Sequence, residues 1–163
     1  MDGDSKAKIH RSLAALELAA VRYRGGVRRR LNVGDEELTA LLYLAHHGGV
    51  AQRRLAEITT LSRSGAGAMI QRLEHDGFVE RHTDPADRRL RVVHLSTAGR
   101  NRVHDAYRDF GDATDRVLAA TDPADVERLA GLLGGLAAAA ETTHAVDPPL
   151  APAARDPIWR RWS

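Results

Sequence analysis

Apolar residues recur at helical steps along most of this chain, and the period changes once, to short strands. Ile9, Leu13, Leu16, Ala20, Val27 and Leu31 follow one another at steps of three, four or seven and predict a helix over residues 6–31. So narrow a stripe on a long helix resembles a helix–helix seam. Gly25 and Gly26 interrupt it, each costing about 1 kcal/mol against Ala, and predict a kink or a close crossing. A second helix is expected over residues 35–47, with Leu38, Leu41, Leu42 and Ala45 inward. Gly34 or Asp35 caps it, three acids suit its positive end, and Gly48-Gly49 stops it. A short third helix, 51–59, turns Leu55 and Ile58 inward. Ser62 then caps a fourth helix that runs to Asp76 on Met69, Ile70 and Leu73, with Gly77 as its stop.

The alternating pattern begins there. Phe78-Val79 and residues 90–95 read as two strands around an Asp84-Pro85 turn. Ser96 caps a fifth helix to about Ala120. Asp122-Pro123-Ala124-Asp125 starts a sixth that runs to about Thr143, with Val126, Leu129, Leu133, Leu136 and Ala140 on one face. Two helices, a tight turn and a hairpin, in this order, make a mainly α winged helix-turn-helix. Such a unit sets its second helix in a DNA major groove and its hairpin beside the backbone or in a minor groove. The expected organisation is an N-terminal dimerisation helix (1–33), a winged region (34–96), C-terminal dimerisation helices (97–144) and a Pro-rich tail (145–163). The stripes of the first and sixth helices have too little partner surface within one chain.

Charge sharpens this picture. The formal net charge is only +2, yet residues 53–102 hold ten Arg against six acids, so the basic face belongs to the winged segment. Arg outnumbers Lys 22 to 2, and guanidinium suits bidentate phosphate and guanine contacts. With no Cys there is neither a disulfide framework nor a thiol switch. No apolar run of membrane length and no signal peptide is present, so a cytoplasmic, non-membrane protein is expected. Aromatic residues make up 4% of the chain, too few for a single-strand stacking platform.

The segments QRRLAEITTLSRS, QRLEHDGFVER and DPADRRLRVVHLSTAGR together resemble the MarR family of bacterial transcriptional regulators, over roughly residues 38–140. The most specific part is the Asp-x-Arg of the wing (Asp87, Arg89) closed by Leu95, Ser96 and Gly99. The resemblance implies a homodimer with interlocked terminal helices. It also implies a pseudo-palindromic operator on double-stranded DNA, usually a repressor's role, and a small-molecule effector, with aromatic or phenolic compounds expected. It places DNA contacts on helix 62–76 and the wing 79–95. Arg63 and Ser64 stand at the start of the recognition helix beside the cap Ser62. Arg72 reaches phosphate or pairs with Glu74 or Asp76, and Gln71 faces solvent. Arg89 enters a minor groove with Asp87 bracing the turn, while Arg88 and Arg91 contact phosphates. Arg53 and Arg54 touch the backbone or form a solvated face. Arg81 contacts DNA or pairs with Asp84 or Asp87.

One departure stands out. Gly65, Gly67 and Ala68 occupy positions where the family carries longer base-reading residues, which shifts the expected specificity toward the wing and DNA shape. Expected effector contacts are Tyr23, Arg24, Tyr43, His47 and Tyr107, on helices one, two and five. The eight His make no metal-ligand spacing, so no metal or cofactor is expected. GAGA at 65–68 lies within a helix rather than after a strand, and no nucleophile motif is present, so an enzyme is not expected. The alternatives are a winged-helix protein-interaction module and a ligand-independent architectural DNA binder. The tail reads either as a solvated linker or, through Ile158, Trp159 and Trp162 among Arg160 and Arg161, as an end that docks on the dimer.

Overall fold

The computed structural model describes residues 3–83 and 91–143. The wing tip, with Asp87, Arg88 and Arg89, and the tail from 144 lie outside the described residues. Helix α1 (Gly3–Leu31) leads into α2 (Asp35–His47), strand β1 (Val50–Ala51), α3 (Gln52–Ile58) and α4 (Arg63–His75). Strands β2 (Val79–Thr83) and β3 (Arg91–Leu95) precede the long helices α5 (Thr97–Ala119) and α6 (Pro123–Thr143). The fold is mainly helical around one small antiparallel sheet.

Local chemistry sets the boundaries. Glu37 accepts the Gly34 N–H at 2.8 Å and so closes the start of α2. Ser62 Oγ accepts the Gly65 N–H at 3.1 Å, and Ser96 Oγ accepts the Gly99 N–H at 2.9 Å. Gly77, at φ 75°, lets the chain leave α4 in the left-handed region. Thr60, in the turn between α3 and α4, takes φ 54° despite its branched side chain. That conformation is rare for such a residue. Its hydroxyl donates to the Thr59 carbonyl.

The sheet runs β1-β3-β2, one strand more than the hairpin alone. Val79 pairs with Leu95 and Thr83 with Arg91, while Val50 pairs with Val93. β1 is two residues long and exists only by its bonds to β3, so the root of the wing is tied to the entrance of the helix-turn-helix. The first strand of the wing, β2, begins at Val79; Phe78 before it is buried core.

A single core joins all parts except α6. Leu38, Leu41, Leu44, Leu55, Met69, Ile70, Leu73, Phe78, Val93 and Val103 are almost wholly buried, each contributing about 1.5–3 kcal/mol of burial free energy. Val27 and Leu31 of α1, and Val103 and Ala106 of α5, belong to the same cluster. The core therefore runs across the expected boundaries at 33 and 96. Leu44 rather than Leu42 completes the inner face of α2.

α1 is one unbroken helix through Gly25 and Gly26. A Cβ at Gly26 would meet nothing within 4 Å and one at Gly25 only the Arg29 guanidinium. No crossing within the subunit requires these glycines. Ile9, Leu16, Leu18 and Val21 on α1, Phe110 and Val117 on α5, and Leu129, Leu132, Leu133 and Leu136 on α6 are exposed.

Candidate nucleic-acid interface

α4 buries Ala66, Met69, Ile70 and Leu73 against the core. At 100° per residue, the opposite side carries Ser64, Ala68, Gln71 and His75, all exposed. Arg63 and Arg72 flank this ridge. Arg63 is exposed and makes no ion pair or hydrogen bond among the described residues. Ser62 and Ser64 share a hydrogen bond between hydroxyls at 3.1 Å, so the capping serine also orients the first outward residue of the helix. A shallow depression of about 470 Å³ opens beside the last turns, lined by Ala68, Gln71, Arg72, His75 and Asp76.

Other arginines are held by the protein itself. Arg72 Nε donates to Glu37 Oε1 at 3.0 Å, not to Glu74 or Asp76, because Glu37 points from α2 across the start of the core. Glu37 thereby caps α2 and ties it to α4. Arg81 binds Glu74 and links β2 to α4, while Asp84 and Asp87 lie outside the described residues. The Arg81 guanidinium holds the Glu74 carboxyl below the usual carboxylate range, and Glu74 raises Arg81 in turn. Arg54 is partly buried; it meets Glu57 at 2.7 Å and the Tyr43 hydroxyl at 3.4 Å, which braces α3 on α2. Arg53 is exposed and unpaired among the described residues. Arg91 donates to Thr83 Oγ1 at 2.8 Å across the hairpin and remains exposed.

The Leu95-Ser96-x-x-Gly99 motif acquires a structural meaning here. The Ser96 N–H donates to the Phe78 carbonyl at 3.0 Å, and Ser96 Oγ donates to the Gly77 carbonyl at 2.6 Å. The Cα of Gly99 packs directly on the Phe78 backbone; a Cβ there would lie 2.0 Å from its carbonyl oxygen. Arg102 covers the other side of Phe78, with its guanidinium 3.7 Å from the ring centroid, and donates to the Asp76 carbonyl. The end of α4 and the start of α5 are thus locked together. Nothing in the periodicity pointed to Arg102, Glu37 or Glu74 as the partners at this surface.

The expected effector contacts fall into two groups. Tyr23 and Tyr107 meet edge to face at 5.5 Å where α1 crosses α5, with Phe110 5.2 Å from Tyr23. Tyr23 donates to the Ala106 carbonyl at 3.1 Å, and Arg24 to Thr39 Oγ1 at 3.0 Å. The Tyr107 hydroxyl is buried and has no hydrogen-bond partner among the described residues. Burial pushes both phenols above their ordinary range. Tyr43 stacks on His47 at 4.2 Å, beside α3. Among the described residues no three His, Asp or Glu side chains converge as metal ligands. No described helix is long and apolar enough to cross a membrane.

Comparison with known proteins agrees with this geometry. Residues 31–90 match the model of the MarR family. The chain is 28% identical over 142 residues to YwaE of Bacillus subtilis, an uncharacterized HTH-type transcriptional regulator, covering 81% of this chain and 83% of YwaE. It is 33% identical to the transcriptional regulator HosA of Escherichia coli, over 44% of this chain and 53% of HosA. The fold is shared with RV1404 from Mycobacterium tuberculosis (TM-score 0.61, 20% identity, 86% of this chain and 96% of that one). It is shared too with NadR in complex with 4-hydroxyphenylacetate (TM-score 0.58, 22% identity, 77% and 88%). The relatives are transcriptional regulators rather than enzymes. With its winged helix-turn-helix, a MarR-family match over residues 31–90 and these relatives, the chain is similar to HTH-type transcriptional regulators of the MarR family.

Proposed function

We propose that the protein is a homodimeric repressor whose affinity for a pseudo-palindromic operator is set by a small aromatic or phenolic effector. The observation that carries DNA reading is the outward, uncovered ridge of α4, with Arg63, unpaired among the described residues, exposed at the start of the helix. Among the described residues Arg63, Ser64, Arg53 and Arg91 would contact DNA, joined by Arg88 and Arg89 of the wing with Asp87 as its brace. Arg72 and Arg54 serve first as struts within the unit, and Ser62 as a cap. Assembly is supported by the exposed leucines of α6, a face too apolar to leave in water. Two such units on a two-fold axis read half-sites about one helical turn apart, or a multiple of it.

The effector reading rests on Tyr107. A buried hydroxyl without a partner is costly, and a ligand carrying an acceptor group would satisfy it, with Tyr23 and Phe110 as aromatic walls. The complex of the similar NadR with 4-hydroxyphenylacetate supports a ligand of this class. Binding to the conformation with wrongly spaced recognition helices would shift the population away from DNA. Fluorescence anisotropy with duplexes from the protein's own upstream region, against random duplexes at matched salt, tests the reading. Preferred binding that weakens on addition of phenolic acids is expected. Equal affinity for both duplexes, or a salt slope near zero, would refute it and favour a protein-binding role.

A further inference from the structure

The ridge of α4 has few chemical heads. Ser64 shares its hydroxyl with Ser62 at 3.1 Å, and Ala68 offers only a methyl group. Arg72, on the flank, is drawn back to Glu37 at 3.0 Å. His75 stands in the last turn. Gln71 alone combines exposure at the centre of the ridge with a donor and an acceptor on one head. It makes no hydrogen bond among the described residues, so no internal contact has to break for it to reach outward.

We propose that Gln71 is a base-reading residue of this regulator, pairing bidentately with the N6 amino group and N7 of an adenine in each half-site. The inference rests on the DNA-binding reading of α4 given above. The small residues that precede Gln71 make the geometry possible. Ala68 and Ser64 lie one and two turns earlier on the same stripe, and neither holds the helix away from the groove floor. The axis therefore seats deeply, and a side chain in the middle of the helix reaches base edges that the first turn would otherwise claim. The depression beside Ala68 and Gln71 leaves the amide room to turn into the plane of a base pair. The Ala68 methyl then faces the groove where a thymine methyl would pack against it. On this account the short residues at 65, 67 and 68 move direct readout down the helix to position 71 rather than abolishing it.

Selection of binding sites from a random duplex library, with the full-length chain and with Gln71→Ala and Gln71→Glu, tests this. Gln71 is exposed, so both variants should melt with the parent. The parent should select adenine at one position of each half-site. Gln71→Ala should lose that preference, a drop of about 5- to 150-fold against the other bases, while the remaining motif and the salt slope stay unchanged. Gln71→Glu should move the preference to cytosine, whose N4 amino group donates to a carboxylate. Identical motifs from all three proteins, or loss of a base other than adenine in Gln71→Ala, would overturn the assignment while leaving the DNA-binding reading intact. A parent protein that enriches no motif at all would overturn that underlying reading, and the assignment with it.

Discussion

Replacing Gly99 by Ala adds one methyl group at the joint between the reading unit and the long helices. The new Cβ would sit 2.0 Å from the Phe78 carbonyl oxygen, 2.6 Å from its carbon and 2.7 Å from its Cα. All three are backbone atoms, so no side chain can swing aside. Heavy atoms in contact prefer roughly 3.5 Å, so the first turn of α5 has to retreat by roughly 1.5 Å. That movement breaks two bonds that define the joint, Ser96 N–H to Phe78 O at 3.0 Å and Ser96 Oγ to Gly77 O at 2.6 Å. It also loosens the seat of Phe78, which is 1% exposed. Overpacking costs about 1–3 kcal/mol, and each lost hydrogen bond about 1 kcal/mol. The gain in helix propensity returns at most about 1 kcal/mol. A net loss of about 2–4 kcal/mol follows, a large share of a typical total of about 5–15 kcal/mol. Urea unfolding followed by circular dichroism, at one fixed protein concentration, measures it. Gly67→Ala is the matched control: its Cβ would meet Gln52 Nε2 at an ordinary 3.5 Å, so the same substitution should leave stability unchanged or raise it by up to about 1 kcal/mol. A Gly99→Ala protein as stable as the parent would refute the reasoning.

Thr60→Gly should raise the melting temperature, since relieving a branched residue of its left-handed conformation is worth about 1–2 kcal/mol; a lower melting temperature would show that the Thr60 hydroxyl matters more. Tyr107 keeps its proton in the folded state beyond the point near pH 10 at which the unfolded chain loses it. This contribution is complete below about pH 10 and is lost as pH rises through the folded pKa, so Tyr107→Phe should flatten the alkaline fall in stability and melt no lower than the parent at neutral pH. Leu129→Asp with Leu136→Asp should give smaller particles by analytical ultracentrifugation, and an unchanged mass would rule out α6 as the assembly face. Arg63→Ala and Arg89→Ala should each weaken operator binding by roughly 1–3 kcal/mol with melting unchanged, and unaltered anisotropy curves at physiological salt would remove either residue from the interface.

What could be read from sequence was local. The starts of α2, α4 and α5 follow from Gly34-x-x-Glu37, Ser62 and Ser96, because caps act within one turn. The winged order and the buried faces of α3 and α4 follow from periodicity. What escaped depended on distant partners. β1 has no strand pattern of its own and forms only because Val50 and Ala51 lie beside Val93 and Val92. Arg72 pairs with Glu37, 35 positions away, whereas the sequence offers only a phosphate or the nearer Glu74 and Asp76. The glycine pair of α1 lies inside one continuous helix, anchored just beyond it at Val27 and Leu31. The arginines also divided in a way that composition conceals. Arg54, Arg72 and Arg81 brace the unit from within, whereas Arg53 and Arg63 stand free among the described residues.

α1 is 29 residues long, about 43 Å at 1.5 Å per residue. Its last turns are cemented into the same core that holds α4, while its first twenty residues stand clear of it. A rod fixed at one end and gripped at the other behaves as a lever. A partner that took hold of the free arm would pass its tilt to α4 through that core, and a rotation of about 5° displaces the tip of a rod of that length by roughly 4 Å. The two glycines sit where the rod enters its socket, and replacing them with alanine would stiffen the arm at its entry to the core.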